Sequence, residues 1–279
     1  MISAVASLSL DHVGYVAGSM EALRRTMQRL GFAPTEPALL MRANPNTGAL
    51  ESLQQESCHA VFGRSYIEFS AVLTADPAHH LAAYLARGDG LHILALGAAD
   101  VAAAQSRCVQ NNVPVTVPAR AARRIDYGSR HGEARFEWFM VLPNSAPEGL
   151  ICWVRNLTPQ LVFQPEVSRH PNGALDVVEV QIEARDLDLA ASRYAVWLGS
   201  APALTPDGLS FQLEGGRLRL RAGPRDRYAG LVVRVQDLAA CESLLRAAAL
   251  PIAVQPGRLT VPEAAAGGAV MVFTEGPAG

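Results

Sequence analysis

The sequence predicts an α+β fold built of four strand-helix-strand-strand-strand modules, paired into two domains. Three observations predict it. An apolar strand followed by a capped amphipathic helix recurs four times, shorter strand-like runs follow each helix, and a proline-rich stretch divides the second repeat from the third. One such module cannot close its own sheet, so modules must pair to bury it.

The first strand is read from Leu8 to Val16. Ser19 then caps a helix that ends near Leu30, with Gly31 as its stop. Met20, Leu23, Met27 and Leu30 recur at helical spacing and form one apolar face. The second repeat runs Leu91–Leu96, cap Asp100, and a helix through Asn111 closed by Asn112. The third runs Val177–Ile182, cap Asp186 or Asp188, and a helix through Leu198 before Gly199. The fourth runs Leu231–Val235, cap Asp237, and a helix through Ala249 stopped by Pro251.

The following strands are expected around Leu39–Arg42, His59–Gly63 and Tyr66–Leu73. In the second unit they fall around Val113–Val117, Arg135–Leu142 and Leu150–Val154. The last two units offer Leu209–Leu213 with Arg217–Arg221, and Arg258–Val261 with Ala269–Thr274. Pro159, Pro165, Pro171 and Gly173 interrupt regular structure between the pairs. The expected division is therefore an N-terminal domain over 1–156, a joining segment over 157–173 and a C-terminal domain over 174–279.

Composition excludes several function classes. The 279 residues are 49% hydrophobic and 18% charged, with a formal net charge of -2, so no basic field favours nucleic acid. All 24 residues of the Lys+Arg count are arginine. Without lysine, Schiff-base chemistry, lysine-bound pyridoxal phosphate and the phosphate-loop lysine are all set aside. No stretch reaches the roughly 18 apolar residues of a membrane span. Met1–Leu10 lacks the basic start and cleavage site of a signal peptide. Cys58, Cys108, Cys152 and Cys241 form no Cys-x-x-Cys pair and read as buried thiols of a reducing compartment. The expected location is cytoplasmic.

The residues that carry chemistry are His12 in Leu-Asp-His, Glu68 in Tyr-Ile-Glu and His92 in Gly-Leu-His, each in a strand-like run. Two imidazoles and a carboxylate suit a divalent metal that keeps open positions. Strand alternation puts Tyr66, Glu68 and Ser70 on one face and Ile67, Phe69 and Ala71 on the other. The bland alternative is that Glu68 salt-bridges an arginine such as Arg135. His79 and His80, at the start of a helix over Ala78–Arg87, are expected to be solvated. His131 sits in a polar loop, either a lid or merely exposed. Arg120, Arg123, Arg124, Arg130 and Arg135 cluster nearby, as a solvated loop or as recognition of a substrate carboxylate or phosphate. His170 reads as a structural hydrogen-bonding residue, and Glu56 and His59 receive no role.

The chain resembles the vicinal oxygen chelate superfamily, which includes glyoxalase I, extradiol dioxygenases and bleomycin-resistance proteins. It is most similar to the bacterial glyoxalase-like domain group. The resemblance is carried by Leu10-Asp11-His12-Val13, by Gly90-Leu91-His92, and by Leu157-Thr158-Pro159-Gln160-Leu161-Val162-Phe163 with His170-Pro171-Asn172-Gly173. It implies two glyoxalase-like half-barrel domains. It also implies metal ligands on the first and last strands of paired modules, here His12, Glu68 and His92. The fourth ligand is expected at Cys152, the nearest match to Glu68. A thiolate there would favour zinc, whereas a neutral thiol leaves three ligands, the composition of non-heme iron(II) oxygenase sites. Fe, Ni, Zn, Mn and Mg are not distinguished. In the second pair the matching positions are Glu179, near Arg219, near Ala229 and near Val272, and no histidine follows His170. That half is expected to serve packing, pocket closure or dimerisation, which allows a homodimer.

Two functions follow from the resemblance. One is a metal-dependent lyase, isomerase or dioxygenase on a small oxygenated substrate, with Glu68 as the catalytic proton carrier and Arg135 and Cys152 as substrate contacts. The other is a metal-free protein that binds or sequesters a small molecule in the same cup. Whether the chain is an enzyme is left open between them.

Overall fold

Local signals in the chain set the start of each repeat. The computed structural model describes residues 8–44 and 46–276; part of the segment Met1–Leu10 lies outside the described residues. Strand β1 (Ser9–Ala17) is followed by α1 (Met20–Arg29), which buries Met20, Leu23 and Met27. The Ser19 side chain accepts from the Ala22 amide at 3.3 Å and so satisfies an otherwise unpaired N–H of the first turn. Strands β2 (Ala38–Ala43), β3 (Leu50–Val61) and β4 (Tyr66–Val72) complete the unit.

A short helix α2 (Ala82–Leu85) leads into β5 (Gly90–Gly97), α3 (Val101–Gln110), β6 (Ala119–Ile125), β7 (Gly132–Met140) and β8 (Leu150–Asn156). The joining stretch holds α4 (Pro159–Val162) and a single 3-10 turn at Pro165–Val167. The third repeat is β9 (Ala174–Ala184), α5 (Leu187–Leu198), β10 (Ala203–Thr205), β11 (Gly208–Leu213) and β12 (Gly216–Ala222). The fourth is β13 (Arg227–Val235), α6 (Leu238–Ala247), β14 (Ala253–Gln255), β15 (Arg258–Val261) and β16 (Val270–Thr274). Asp100, Asp186 and Asp237 each cap their helix by accepting an amide three residues on, at 2.8 to 2.9 Å.

Within every repeat the first strand runs parallel to the last: β1 with β4, β5 with β8, β9 with β12 and β13 with β16. Repeats then join through antiparallel first strands, β1 with β5 and β9 with β13. The N-terminal eight strands close into a barrel in the order β1-β4-β3-β2-β6-β7-β8-β5, sealed where β2 meets β6. This is a correction to the half-barrel expected there. The C-terminal eight strands form an open sheet, β10-β11-β12-β9-β13-β16-β15-β14.

Three local expectations are also corrected. The strand placed at Val113–Val117 contributes only an isolated bridge at Val115, and the ladder strand is β6. The helix expected over Ala78–Arg87 is reduced to α2. His59 lies within the long β3 rather than starting a strand.

The outer faces of both sheets and the helices share one apolar core, which includes Tyr15, Phe69, Trp153, Trp197 and Phe211. Polar ties cross the same boundary. The Tyr228 hydroxyl donates to the Leu150 carbonyl at 3.1 Å, and Arg64 pairs with the buried Asp176 at 2.7 Å. All four cysteines are free and buried. Among the described residues no helix is long and apolar enough to cross a membrane.

Candidate functional site

Pleat alternation turns one face of each barrel strand inward. On β4 this face carries Tyr66 and Glu68, while Ile67, Phe69 and Ala71 join the outer core. The barrel surrounds a cavity open at its mouth, with about 640 Å³ of atom-free space when the adjoining solvent is counted. Leu40, Ile93, Phe136, Trp138, Leu150 and Val154 supply its apolar wall. Its polar groups include His12, Gln55, His59, Glu68 and Arg123.

His12 and Glu68 meet in this cavity, with Nε2 3.5 Å from Oε2. His12 Nδ1 lies 2.7 Å from Asp11 Oδ1, and Asp11 Oδ2 accepts from Asn156 at 2.9 Å. Neighbours on a strand normally point to opposite faces. Here the β1–β5 register slips at Asp11, so a bulge brings the carboxylate beside the next residue's ring. Glu68 Oε1 accepts from Gln55 Nε2 at 3.1 Å and from the Ser70 hydroxyl at 2.5 Å. The His12 imidazole is thus set between two carboxylates and stacks on Tyr66 at 4.4 Å. It is placed to hold or pass a proton along Asp11, His12 and Glu68.

His92 does not join them. The same strand pair slips again between Gly14 and Tyr15, and the extra residue on β5 is His92. Its Nε2 donates to the Gly88 carbonyl at 2.8 Å and its ring stacks toward Tyr84, away from the cavity lining. Burial lowers its pKa, with the Gly88 contact opposing. Repeat geometry explains the mismatch. Glu68 pairs in register with Gly14, two residues beyond His12, and Cys152 pairs with Ala95, two residues beyond Ile93. The counterparts of His12 and Glu68 in the second repeat are therefore Ile93 and Cys152. His92 is the counterpart of Asp11.

A chelate of the kind the resemblance implies does not fit this donor set. Ile93 offers no ligand atom. Burial pushes the Cys152 thiol well up, and Asp11 and Glu68 push it further, so without an ion Cys152 is a neutral thiol. Among the described residues no group of three or more His, Cys, Asp or Glu side chains is placed to hold one ion. Arg135 also lies elsewhere: it is 66% exposed and pairs with Glu133 at 2.9 Å, so it neither partners Glu68 nor lines the cavity. In the C-terminal sheet, Glu179 pairs with Arg217 at 2.6 Å and meets Arg219 at 4.0 Å, which gives that half an internal ion pair.

Two cavity residues, His59 and His80, escape sequence reasoning, and a third, Arg123, figures there only as one of a cluster of five. His59 is buried beside Arg123, which meets its ring at 2.7 Å. Burial, then Arg123 and His12, hold its pKa well below the usual value, so it is neutral. His80 lines the cavity rather than facing bulk solvent, and burial lowers its pKa to about 3. Arg123 itself is only 3% exposed. The available signal was alternation within β6: Ala121, Arg123 and Ile125 share a face, against Arg120 and Arg124.

A glyoxalase-like domain model matches residues 10–198. A search of curated proteins finds no match. Several solved structures share the fold at low identity. A hypothetical protein from Staphylococcus aureus superposes with a TM-score of 0.67 at 10% identity, covering 95% of this chain and 98% of that one. A triple mutant of 4-hydroxymandelate synthase from Streptomyces coelicolor gives 0.61 at 14%, covering 98% and 94%. The Mn(II)-bound glyoxalase from Novosphingobium aromaticivorans gives 0.59 at 12%, covering 95% and 81%. The family match spans well over half the chain, and the strand order and paired repeats agree with it; the chain belongs to the glyoxalase-like domain family of the vicinal oxygen chelate superfamily.

Proposed function

We propose that the N-terminal barrel binds a small organic molecule without a resident metal ion, as a binding or sequestering protein. One observation carries this reading: the second repeat presents Ile93 and Cys152 where the first presents His12 and Glu68. The cavity that remains is mainly apolar with a few convergent polar groups, the usual make-up of a small-molecule site. In this reading residues 1–156 form the binding unit, 157–173 the joint, and 174–279 a buttress that packs against the outside of the barrel. No nucleic-acid or membrane partner is called for.

A second reading has a specific observation behind it. His12 and Glu68 do converge on the cavity, 3.5 Å apart. A metal-dependent lyase, isomerase or dioxygenase would use them as two of its ligands and draw the remainder from substrate and water. Glu68 would then be the group able to carry a proton.

Binding of a neutral hydrophobic fluorophore such as N-phenyl-1-naphthylamine separates the two. Untagged protein stripped by a strong chelator is expected to bind the dye as tightly as untreated protein. Ala121→Trp, which fills the cavity from β6, is expected to weaken binding by at least about tenfold. Loss of binding on chelation, or undiminished binding in a folded Ala121→Trp variant, contradicts the proposal.

A further inference from the structure

Arg123 is a buried cation that no carboxylate neutralises. Three of its neighbours in the arginine cluster are exposed and paired: Arg120 with Glu137, Arg124 with Asp126 and Arg135 with Glu133. Arg123 alone of these is turned inward by the β6 pleat, and among the described residues no Asp or Glu lies within ion-pair distance of it. Its one hydrogen-bonding neighbour is the neutral ring of His59, which accepts a hydrogen bond but supplies no charge. Nε and Nη2 are buried without a hydrogen-bond partner. The faces of Tyr66 and Phe136, 5.3 and 5.5 Å from the guanidinium carbon, offset part of the desolvation. A guanidinium left with free donors in a closed wall is costly unless an anion completes it.

The surroundings define the rest of the ligand. Phe136, Trp138 and Leu40 flank the guanidinium side of the cavity, a wall suited to a flat apolar body. The Tyr66 ring lies between this end and the His12–Glu68 end, touching His12 at 4.4 Å and His59 at 5.1 Å. Asp11 and Glu68 are engaged by His12, Asn156, Gln55 and Ser70, which leaves Arg123 as the group that calls for an anion. We infer that the cavity takes a small aromatic carboxylate, with its carboxyl group paired to Arg123 and its ring against Phe136 and Trp138. The inference rests on the metal-free cavity proposed above and names its ligand class. Two parallel N–H···O bonds from a planar guanidinium distinguish a carboxylate from a neutral amide of the same shape.

The test is calorimetric titration of chelator-stripped protein with benzoate, phenylacetate and 3-phenylpropionate, each beside its primary amide. At least one acid is expected to bind about tenfold or more tightly than its amide. Arg123→Met is expected to erase that preference by weakening the acid, leave the amide within about twofold, and keep or raise the melting temperature. Equal binding of acid and amide by the wild type overturns the carboxylate assignment and leaves the metal-free cavity standing. An unchanged preference in Arg123→Met overturns the role of Arg123. Binding of none of the six compounds overturns this inference, while the neutral-dye experiment judges the cavity separately. Binding that appears only when a divalent metal is added back overturns both. Should Arg123→Met fail to fold, the wild-type acid-to-amide ratio still decides the ligand class.

Discussion

Replacing Ile93 with His and Cys152 with Glu together is expected to create a divalent-metal site in the barrel. The two positions are the register counterparts of His12 and Glu68. The double variant therefore offers two imidazoles and two carboxylates around one cavity. Space favours the change, because a Cβ on Gly14 would lie 2.8 Å from the Ile93 side chain, and glycine there leaves position 93 room to lean inward. Affinity for Mn2+ or Zn2+ is expected to rise at least about a hundredfold over wild type, with Ile93→His alone falling between. His92→Ala is expected to leave metal affinity unchanged in either background, since that ring is held at the barrel end by Gly88. A folded double variant that binds metal no better than wild type would refute the register argument.

Acid is expected to destabilise the fold well before its carboxylates protonate. His170 joins the connecting segment to the barrel: Nε2 donates to the Val61 carbonyl at 3.0 Å, and Nδ1 accepts from the Ala33 amide at 3.2 Å. Its ring packs edge-on against Phe32 and Phe62. Both nitrogens are used by the neutral form, and burial brings its pKa from 6.5 down to about 4. Protonation would turn the Ala33 acceptor into a second donor. His59 is lowered in the same direction by burial, Arg123 and His12. Between the two values the unfolded chain binds more protons than the folded one, so stability falls as pH drops through 6.5 toward 4. His170 alone accounts for a loss on the order of 3 kcal/mol over that window. Urea midpoints measured from pH 7.5 to 4 check this. A curve that stays flat down to pH 5 contradicts neutral burial of these rings.

The parts of the fold legible in the sequence were those written locally. Ser19, Asp100, Asp186 and Asp237 each cap a helix as read, because a cap needs only its own three following residues. The Tyr66–Glu68–Ser70 face was readable for the same reason, since a pleat alternates within one strand. Long-range pairing was not. Closure of the barrel through β2 and β6 joins segments about 80 residues apart and leaves no periodicity to read. β6 itself, Ala-Arg-Ala-Ala-Arg-Arg-Ile, hid as a solvated loop because three of its seven residues are charged.

The site was half legible. His12 and Glu68 meet as strand position suggested. The mismatch at His92 is one residue wide: His92 occupies the bulge of the second repeat, the place Asp11 holds in the first. The two bulges are equivalent and leave the repeats in step, whereas the motifs Leu-Asp-His and Gly-Leu-His are offset by one residue from that repeat. Counting back from the helix caps gives the structural answer, because Ser19 stands seven residues after His12 and Asp100 seven after Ile93.

The central claim is that this member of a chelating superfamily holds its ligand without a chelated ion. Elemental analysis of untagged protein, purified without chelators from cells supplied with Mn, Fe, Ni and Zn, tests it most directly. The expected result is well under about 0.1 ion per chain for each metal, unchanged in His12→Ala. About one ion per chain, lost in His12→Ala or Glu68→Ala, would contradict it.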